Sequence, residues 1–495
     1  MNHRLTMGLA AAILLAASGA RANEWTGVES EDWFDSGNWS GGVPNAGINS
    51  VRINTDDPNP AVIDGGAAET GSSFSVGHTS RGELNILNSG SLVSGTSAAI
   101  GSQFAGDGRV RISGADSLWQ VESISIGAFG SAEVEIEDGG RMHVLWGGVT
   151  SFGQSNANAS GSITISGPGT RLDFEGRFWL GHSGSGEMTI KDGAQVTWAG
   201  ATSTVAQAAG TMGEILLTGP GSLLSGSRLH VGNGGALGTA LASGTMRLAD
   251  GAMLEITGAG SPSNHRLVIA SNAGSAGEMV IGGPPGEGPE PPGQMVLDGG
   301  ILFNGGVGTL VFNHSGALDL PFPIEGPVGA SASGLIRAES GTTLFSGEPL
   351  DYSGDLSIDQ GAVFGAGGQL GEVVNEGRLV ASPGQSATLS IDGDYSHGDN
   401  AVLEVQFAPG AVLDRVEISG EASFSGGTIN LSMLPGNYGN TPLDGVYPIL
   451  TASGEISGDL PQLEVINPNA FVLFREGDTL YVEVFDQMMR DRFEE

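Results

Sequence analysis

The feature that most limits how this chain can fold is a repeated pentad of the form Gly-x-apolar-x-apolar. Gly82-Glu-Leu-Asn-Ile86 is followed by Gly108-Arg-Val-Arg-Ile112, Ser131-Ala-Glu-Val-Glu-Ile136, Gly161-Ser-Ile-Thr-Ile165 and Gly186-Glu-Met-Thr-Ile190. Gly213-Glu-Ile-Leu-Leu217, Gly244-Thr-Met-Arg-Leu248 and Gly277-Glu-Met-Val-Ile281 complete the series. From Gly82 to Gly277 there are 195 residues in seven intervals, about 28 per unit. Strict alternation places Leu84, Ile86, Val110, Ile112, Val134, Ile136, Ile163, Ile165, Met188 and Ile190 on one side of a strand. No single unit can bury such a side, whereas units stacked with their strands about 4.8 Å apart can.

Each unit carries two more strand-like pieces. One ends in Gly, as in Ile124-Ser-Ile126-Gly127, Trp179-Leu180-Gly181 and Leu229-His-Val231-Gly232. The other follows a turn such as Asp138-Gly139, Asp192-Gly193 or Asp250-Gly251 and alternates again, as in Met142-His-Val144, Leu172-Asp-Phe174 and Val196-Thr-Trp198. Three strands and about 28 residues per coil define an all-β, right-handed parallel β-helix. The left-handed hexapeptide form needs only about 18 residues per coil. Ser72 to Asp392 has room for roughly a dozen coils, a rod on the order of 60 Å long. Pro284 to Gly293 holds five prolines, so it cannot be an internal strand and reads as an exposed loop thrown out from a corner.

Composition agrees with this reading. Gly is the commonest residue at 85 without a triplet period, and only 15% of residues are charged. Acidic residues outnumber basic ones 55 to 19, a net charge of -36 that disfavours nucleic acid and anionic membranes as partners. Arg4, the apolar run Leu9 to Ala17 and the small residues of Ala20-Arg21-Ala22 read as a secretory signal peptide cleaved before Asn23. There is no Cys, which suits a chain that must stay unfolded between compartments.

The ends differ from the repeats. Trp25, Trp33 and Trp39 lie close together in the block that runs to Asn38-Trp39-Ser40-Gly41-Gly42-Val43-Pro44. They are placed to cover an open end of the rod, with an aromatic platform for sugar rings as the alternative. Near the other end, Gly393-Asp-Tyr395, Ala401-Val-Leu-Glu-Val405, Asp414-Arg415-Val416 and Ile418-Ser-Gly420 occur in sequence. They are followed by Gly426-Gly427-Thr-Ile-Asn-Leu431, Tyr438 and Tyr447-Pro-Ile-Leu-Thr-Ala452. With the Trp-rich opening block, these segments resemble the passenger domains of autotransporters and the pertactin-like junction that precedes their translocating barrel. The resemblance implies five parts. Residues 1–22 are a signal peptide, 23–66 an N-terminal cap, 67–393 the repeats with an insertion at 284–293, 394–484 a capping and folding module, and 485–495 a tail. It also implies a barrel, which is missing, truncated or a separate polypeptide, because the sequence ends at Glu495.

Catalytic constellations are not evident. Gly181-His182-Ser183-Gly184-Ser185 approaches a nucleophile elbow, but its fifth residue is not Gly and it shares its register with Gly77-His78 and Gly232-Asn233. The eight His show no metal-ligand spacing, and the one Lys is Lys191. Asp56-Asp57 reads as a loop turn before Pro58, with a share in holding a cation as the alternative. Glu133, Glu135 and Glu137 form the densest acidic run and read as a solvated face. Accordingly no catalytic, cofactor-binding or metal-ligating residue is assigned, and no cofactor is expected. The expected role is that of an exported, non-catalytic surface or secreted protein. It would be an adhesin-like passenger whose partner is a surface protein or glycan. The alternatives are a carbohydrate-active lyase or hydrolase on the same fold, and a self-associating biofilm component.

Overall fold

The computed structural model describes residues 22–234, 241–258, 266–347, 349–384, 387–408, 412–434, 445–465 and 471–485. The expected signal peptide, apart from Ala22, lies outside the described residues, as do Tyr438 and all of the tail beyond Phe485. Among the described residues, a 3-10 turn at Ser36–Asn38 is the single helical element, and every other regular element is a strand.

The chain is a parallel β-helix. One coil is typical of the first half: Ile124–Ile126, then Ser131–Glu137, Arg141–Val144 and the next coil's Val149–Phe152. We call the three stacks these strands enter face 1, face 2 and face 3. Among the described residues face 1 has nineteen strands. The final two, Phe471–Glu476 and Thr479–Val484, run antiparallel and close it. The other 17 are parallel and in sequence order, which at about 4.8 Å per rung makes a rod on the order of 75 Å long.

The rod is longer than the repeats alone predict because its sheets run through both expected boundaries. At the N-terminal end, Asn23–Glu24 pairs with Ser50–Ile53 on face 1, and Ala61–Asp64 pairs with Arg81–Leu87 on face 2. At the other end, Tyr395–His397 pairs with Ala422–Ser425, which pairs with Ile456–Asp459. The end segments are therefore coils of the same solenoid.

Face 2 explains the pentad. Its inward positions form two columns, Leu84-Val110-Val134-Ile163-Met188 and Ile86-Ile112-Ile136-Ile165-Ile190, stacked residue on residue and at most 2% exposed. Each such side chain contributes about 1.5–3 kcal/mol by leaving water. The pentad's glycine is set by a close approach. A Cβ on Gly186 would lie 2.3 Å from the amide nitrogen of Gly181, where face 1 turns into face 2. The register between successive pentads varies from 24 residues (Gly108 to Ala132) to 33 (Gly244 to Gly277), so the sequence period is an average and the corners absorb the variation.

The coil changes shape in the second half. Face 3 ends as a separate sheet after nine strands, at Gln294–Leu297. Val307–Asp319 and Ser333–Leu344 then continue around the corner as single long strands. Later coils lay two short strands on the two halves, as Asp355–Ile358 and Val363–Ala366 do. The spacing falls to 17 residues between Leu356 and Val373.

The proline-rich insertion is a mostly exposed loop, as its composition predicts, but it is tied down at several points. Residues 284–293 fold back as a strap over the outer side of face 2. Asn313 Nδ2 donates to the carbonyls of Pro284 and Glu287, and the amides of Asp250 and Gly251 donate to the carbonyls of Pro291 and Pro292. Arg247 meets Glu290 at 2.7 Å, and the Gly286 amide donates to Glu339. Outward-facing Val280 and Val311 are buried there at 1% and 2% exposure. Proline cannot donate to a ladder, but its carbonyl still accepts, and those carbonyls hold the strap down.

Two substitutions test this account of the corners. Gly186→Ala forces a Cβ against backbone and should cost roughly 1–3 kcal/mol. Ala206 occupies the left-handed corner position (φ 60) that most coils give to glycine, so Ala206→Gly should gain about 0.5–1 kcal/mol. Denaturant midpoints of the two variants should move in opposite directions.

Candidate binding surface

A sealed core leaves function to the ends and to outward side chains. At the N-terminal end, Trp25, Trp33 and Trp39 are at most 5% exposed and pack edge to face, with ring centroids 5.1 Å apart for Trp25–Trp39 and 4.7 Å for Trp33–Trp39. Trp33 continues onto Phe74 at 6.3 Å, so the three rings extend the core and offer no face to a ligand. Asn38 holds the block together. Its Oδ1 accepts from the amides of Glu29 and Ser30, and its Nδ2 donates to the Asp32 carbonyl.

The residues singled out in the sequence do not converge. Gly181 is a left-handed corner (φ 65), His182 packs edge-on to Trp179 at 4.8 Å, and the Ser183 amide donates to the Gly153 carbonyl one coil away. His182 Nδ1 is buried without a partner, and burial lowers its pKa. Asp56 pairs with Arg81 at 2.6 Å, and the Asp57 amide and carbonyl both engage Thr55 Oγ1.

Glu133, Glu135 and Glu137 do point outward, but in a mixed-charge lattice. Glu133 lies 3.6 Å from Arg109, and Glu137 pairs with Arg111. Glu133 and Glu135, with Arg109, Arg111, Glu83 and Asn85, rim a shallow depression of about 130 Å³. Among the described residues no three His, Asp or Glu converge as metal ligands.

Face 3 carries a second polar lattice, which the sequence did not single out. Arg141 and Arg171 sit on adjacent rungs in register, and both reach Asp173, at 3.6 and 3.3 Å. Thr197 Oγ1, one rung further, donates to Asp173 Oδ1 at 2.8 Å. His143 Nε2 lies 3.0 Å from Glu175 Oε1. Apart from Arg171 and Asp173, which lie two residues apart on one strand, these contacts join residues on adjacent rungs, so sequence-local spacing does not reveal them.

The C-terminal coils bury polar groups. Asn375, Tyr395 and His397 are at most 1% exposed, and Tyr395 Oη lies 2.7 Å from His397 Nδ1. Asn375 Nδ2 donates to Tyr395 Oη, and the direction of the Tyr395–His397 hydrogen bond is set by the histidine tautomer. Alternation around Tyr395 does point His397 inward, a readable signal that went unused. Burial lowers the His397 pKa to about 4. Asp414, also fully buried, accepts from the amides of Ala387 and Gln406. Burial raises its pKa to about 7, against the pull of those two donors.

No protein-family model matches the chain. It is similar to the uncharacterized protein YuaQ of Escherichia coli (strain K12), with 26% identity over 313 residues covering 58% of this chain. The matched region spans 21% of that relative's length. Among solved structures, a TibC-catalyzed hyper-glycosylated TibA fragment aligns over 83% of this chain and 97% of its own, at 11% identity and a TM-score of 0.32.

The two buried titratable groups predict opposite acid responses. Folded His397 stays neutral to about pH 4, whereas its unfolded form binds a proton near 6.5. Its contribution of roughly 3 kcal/mol is complete above pH 6.5 and is lost as pH falls toward 4. Asp414 has a raised folded pKa, so acidification below about pH 7 favours the fold. Denaturant midpoints measured from pH 7 to 4 should fall less steeply in His397→Gln, and more steeply in Asp414→Asn, than in the unaltered protein.

Proposed function

We propose that this chain is an exported, non-catalytic surface or secreted protein, an adhesin-like passenger that displays its coils for binding to host, matrix or neighbouring cells. The observation that carries this reading is the outer side of the rod. Its arginines pair with carboxylates of neighbouring rungs, as Arg109–Glu133 and Arg141–Asp173 do, and the charged groups are spread along an extended sheet. Catalysis of the lyase or hydrolase kind needs carboxylates converging on one bound bond. Recognition needs area, shape and hydrogen-bonding groups in fixed places, which a stiff sheet face supplies.

Export through a signal peptide ending at Ala22 belongs to the same proposal, as does display on, or release from, the surface of a Gram-negative-type cell. So does a pertactin-like role for residues 394–484. Its support is that these residues continue faces 1 and 2 and close face 1 with an antiparallel pair. Deleting them would bare the inward columns at Leu379 and Leu389, so thermal unfolding of the remainder should shift down by several degrees. An unchanged transition would remove the capping role.

The functional reading is tested by applying the purified protein to epithelial cells, immobilised matrix proteins and bacteria, with light scattering run in parallel. Saturable binding to one of these surfaces is expected. Turnover of polysaccharide with no surface binding would instead establish an enzyme, and concentration-dependent scattering alone would establish a self-associating rod.

A further inference from the structure

Trp146 is the one tryptophan among the described residues that is mostly in water, at 51% exposure, whereas the capping tryptophans are sealed. It is not loose. Its amide donates to the Glu122 carbonyl at 2.7 Å, which fixes the corner between face 3 and face 1. The indole lies on Gly148, where a Cβ would fall 2.4–2.5 Å from Cη2, Cζ2 and Cε2 of the six-membered ring. One side of the ring is therefore backed by a residue with no side chain, and the other faces solvent. Exposing a large aromatic surface costs hydrophobic free energy, and a rigid backing of this kind orients the ring for a flat, partly apolar partner.

Beside it lies the face 3 lattice. The Trp146 corner touches the corner after Glu175, since a Cβ on Gly176 would sit 2.7 Å from the Trp146 carbonyl oxygen, and Glu175 pairs with His143. Next along the strands come Arg141, Arg171, Asp173 and Thr197, with donors and acceptors held in place by one another. Two arginines face two carboxylates here, so the patch is close to neutral on a chain of net charge -36. Polyanions are repelled by the surrounding field and find no excess positive charge at the patch.

We propose that Trp146 with the lattice Arg141, His143, Arg171, Asp173 and Glu175 is a binding site for a neutral oligosaccharide. The C–H face of one pyranose stacks on the indole, and hydroxyls of the next pair with the carboxylate and guanidinium groups. Three rungs of face 3 span on the order of 10 Å, the length of a disaccharide. Aromatic stacking joined to a few fixed polar groups is how small polar ligands are held with orientation. This proposal rests on the surface-binding reading and gives its partner a chemical class.

The test is calorimetric and fluorescence titration of the full exported chain with tetrasaccharides of cellulose, chitin, laminarin and starch, and with a heparin tetrasaccharide as the anionic control. At least one neutral tetrasaccharide should bind and shift tryptophan emission, while the heparin fragment should not bind. Trp146→Ala should weaken binding at least tenfold. Gly148→Ala, which keeps the indole but displaces it, should do the same, as should Asp173→Asn. Glu133→Gln on face 2 should leave binding unchanged. Binding of none of the neutral sugars, or equal binding by Trp146→Ala, overturns the site. Cell or matrix binding that persists undiminished in Trp146→Ala would sink this site and leave the adhesin reading standing. Sugar binding without attachment to any surface would do the reverse.

Discussion

Backbone hydrogen bonds between one coil and the next are the interaction on which the remaining features depend. Each rung donates and accepts along the axis in register, and that register lines up identical positions of successive coils. The inward columns through Leu84 and Ile86 are thus a consequence of pairing as much as a cause of it. Buried apolar side chains stabilise the stack, while the ladder decides which of them meet. The outer lattices follow from the same constraint. Arg141 finds Asp173, and Arg109 finds Glu133, because a coil of 24 to 33 residues returns each position to within a rung of its predecessor.

Much of this was legible in the amino-acid order, and the boundary of legibility has a physical meaning. Alternation reports only which side of a strand a residue faces, so the columns of face 2 and the three-strand coil could be read directly. The close approach that requires glycine at Gly186 involves the Gly181 amide, five residues earlier, and can be suspected from the pentad alone. The face 3 lattice could not be foreseen. Most of its contacts join residues about a coil apart, and coil length varies from corner to corner. The tethering of the exposed loop could not be foreseen for a related reason. Proline content excludes a residue from donating in a ladder, but it does not prevent the carbonyls of Pro291 and Pro292 from accepting.

The polar groups buried in the last coils contrast with the apolar middle. Asn375, Tyr395 and His397 bond to one another inside the core, where leucine would bury more easily. Asp414 satisfies two amides on separate segments in the same way. An apolar column tolerates sliding by two residues, because any apolar residue can replace its neighbour. A hydrogen-bonded set does not, since a slipped register leaves each member unsatisfied at a cost of about 1–3 kcal/mol. These groups hold the terminal coils to one alignment where the repeat itself is least regular.

The strap changes how that part of the rod comes apart. In a solenoid each coil touches only its neighbours, so opening can begin anywhere and spread one coil at a time. Residues 284–293 reach Arg247, Asn313 and Glu339, which belong to strands with the coil of Met279 interleaved among them. Such a link couples coils that are not adjacent, so none of the four can fray alone. The middle of the rod is thereby sewn into one cooperative block, and amide exchange should proceed more slowly there than in coils of equal burial on either side.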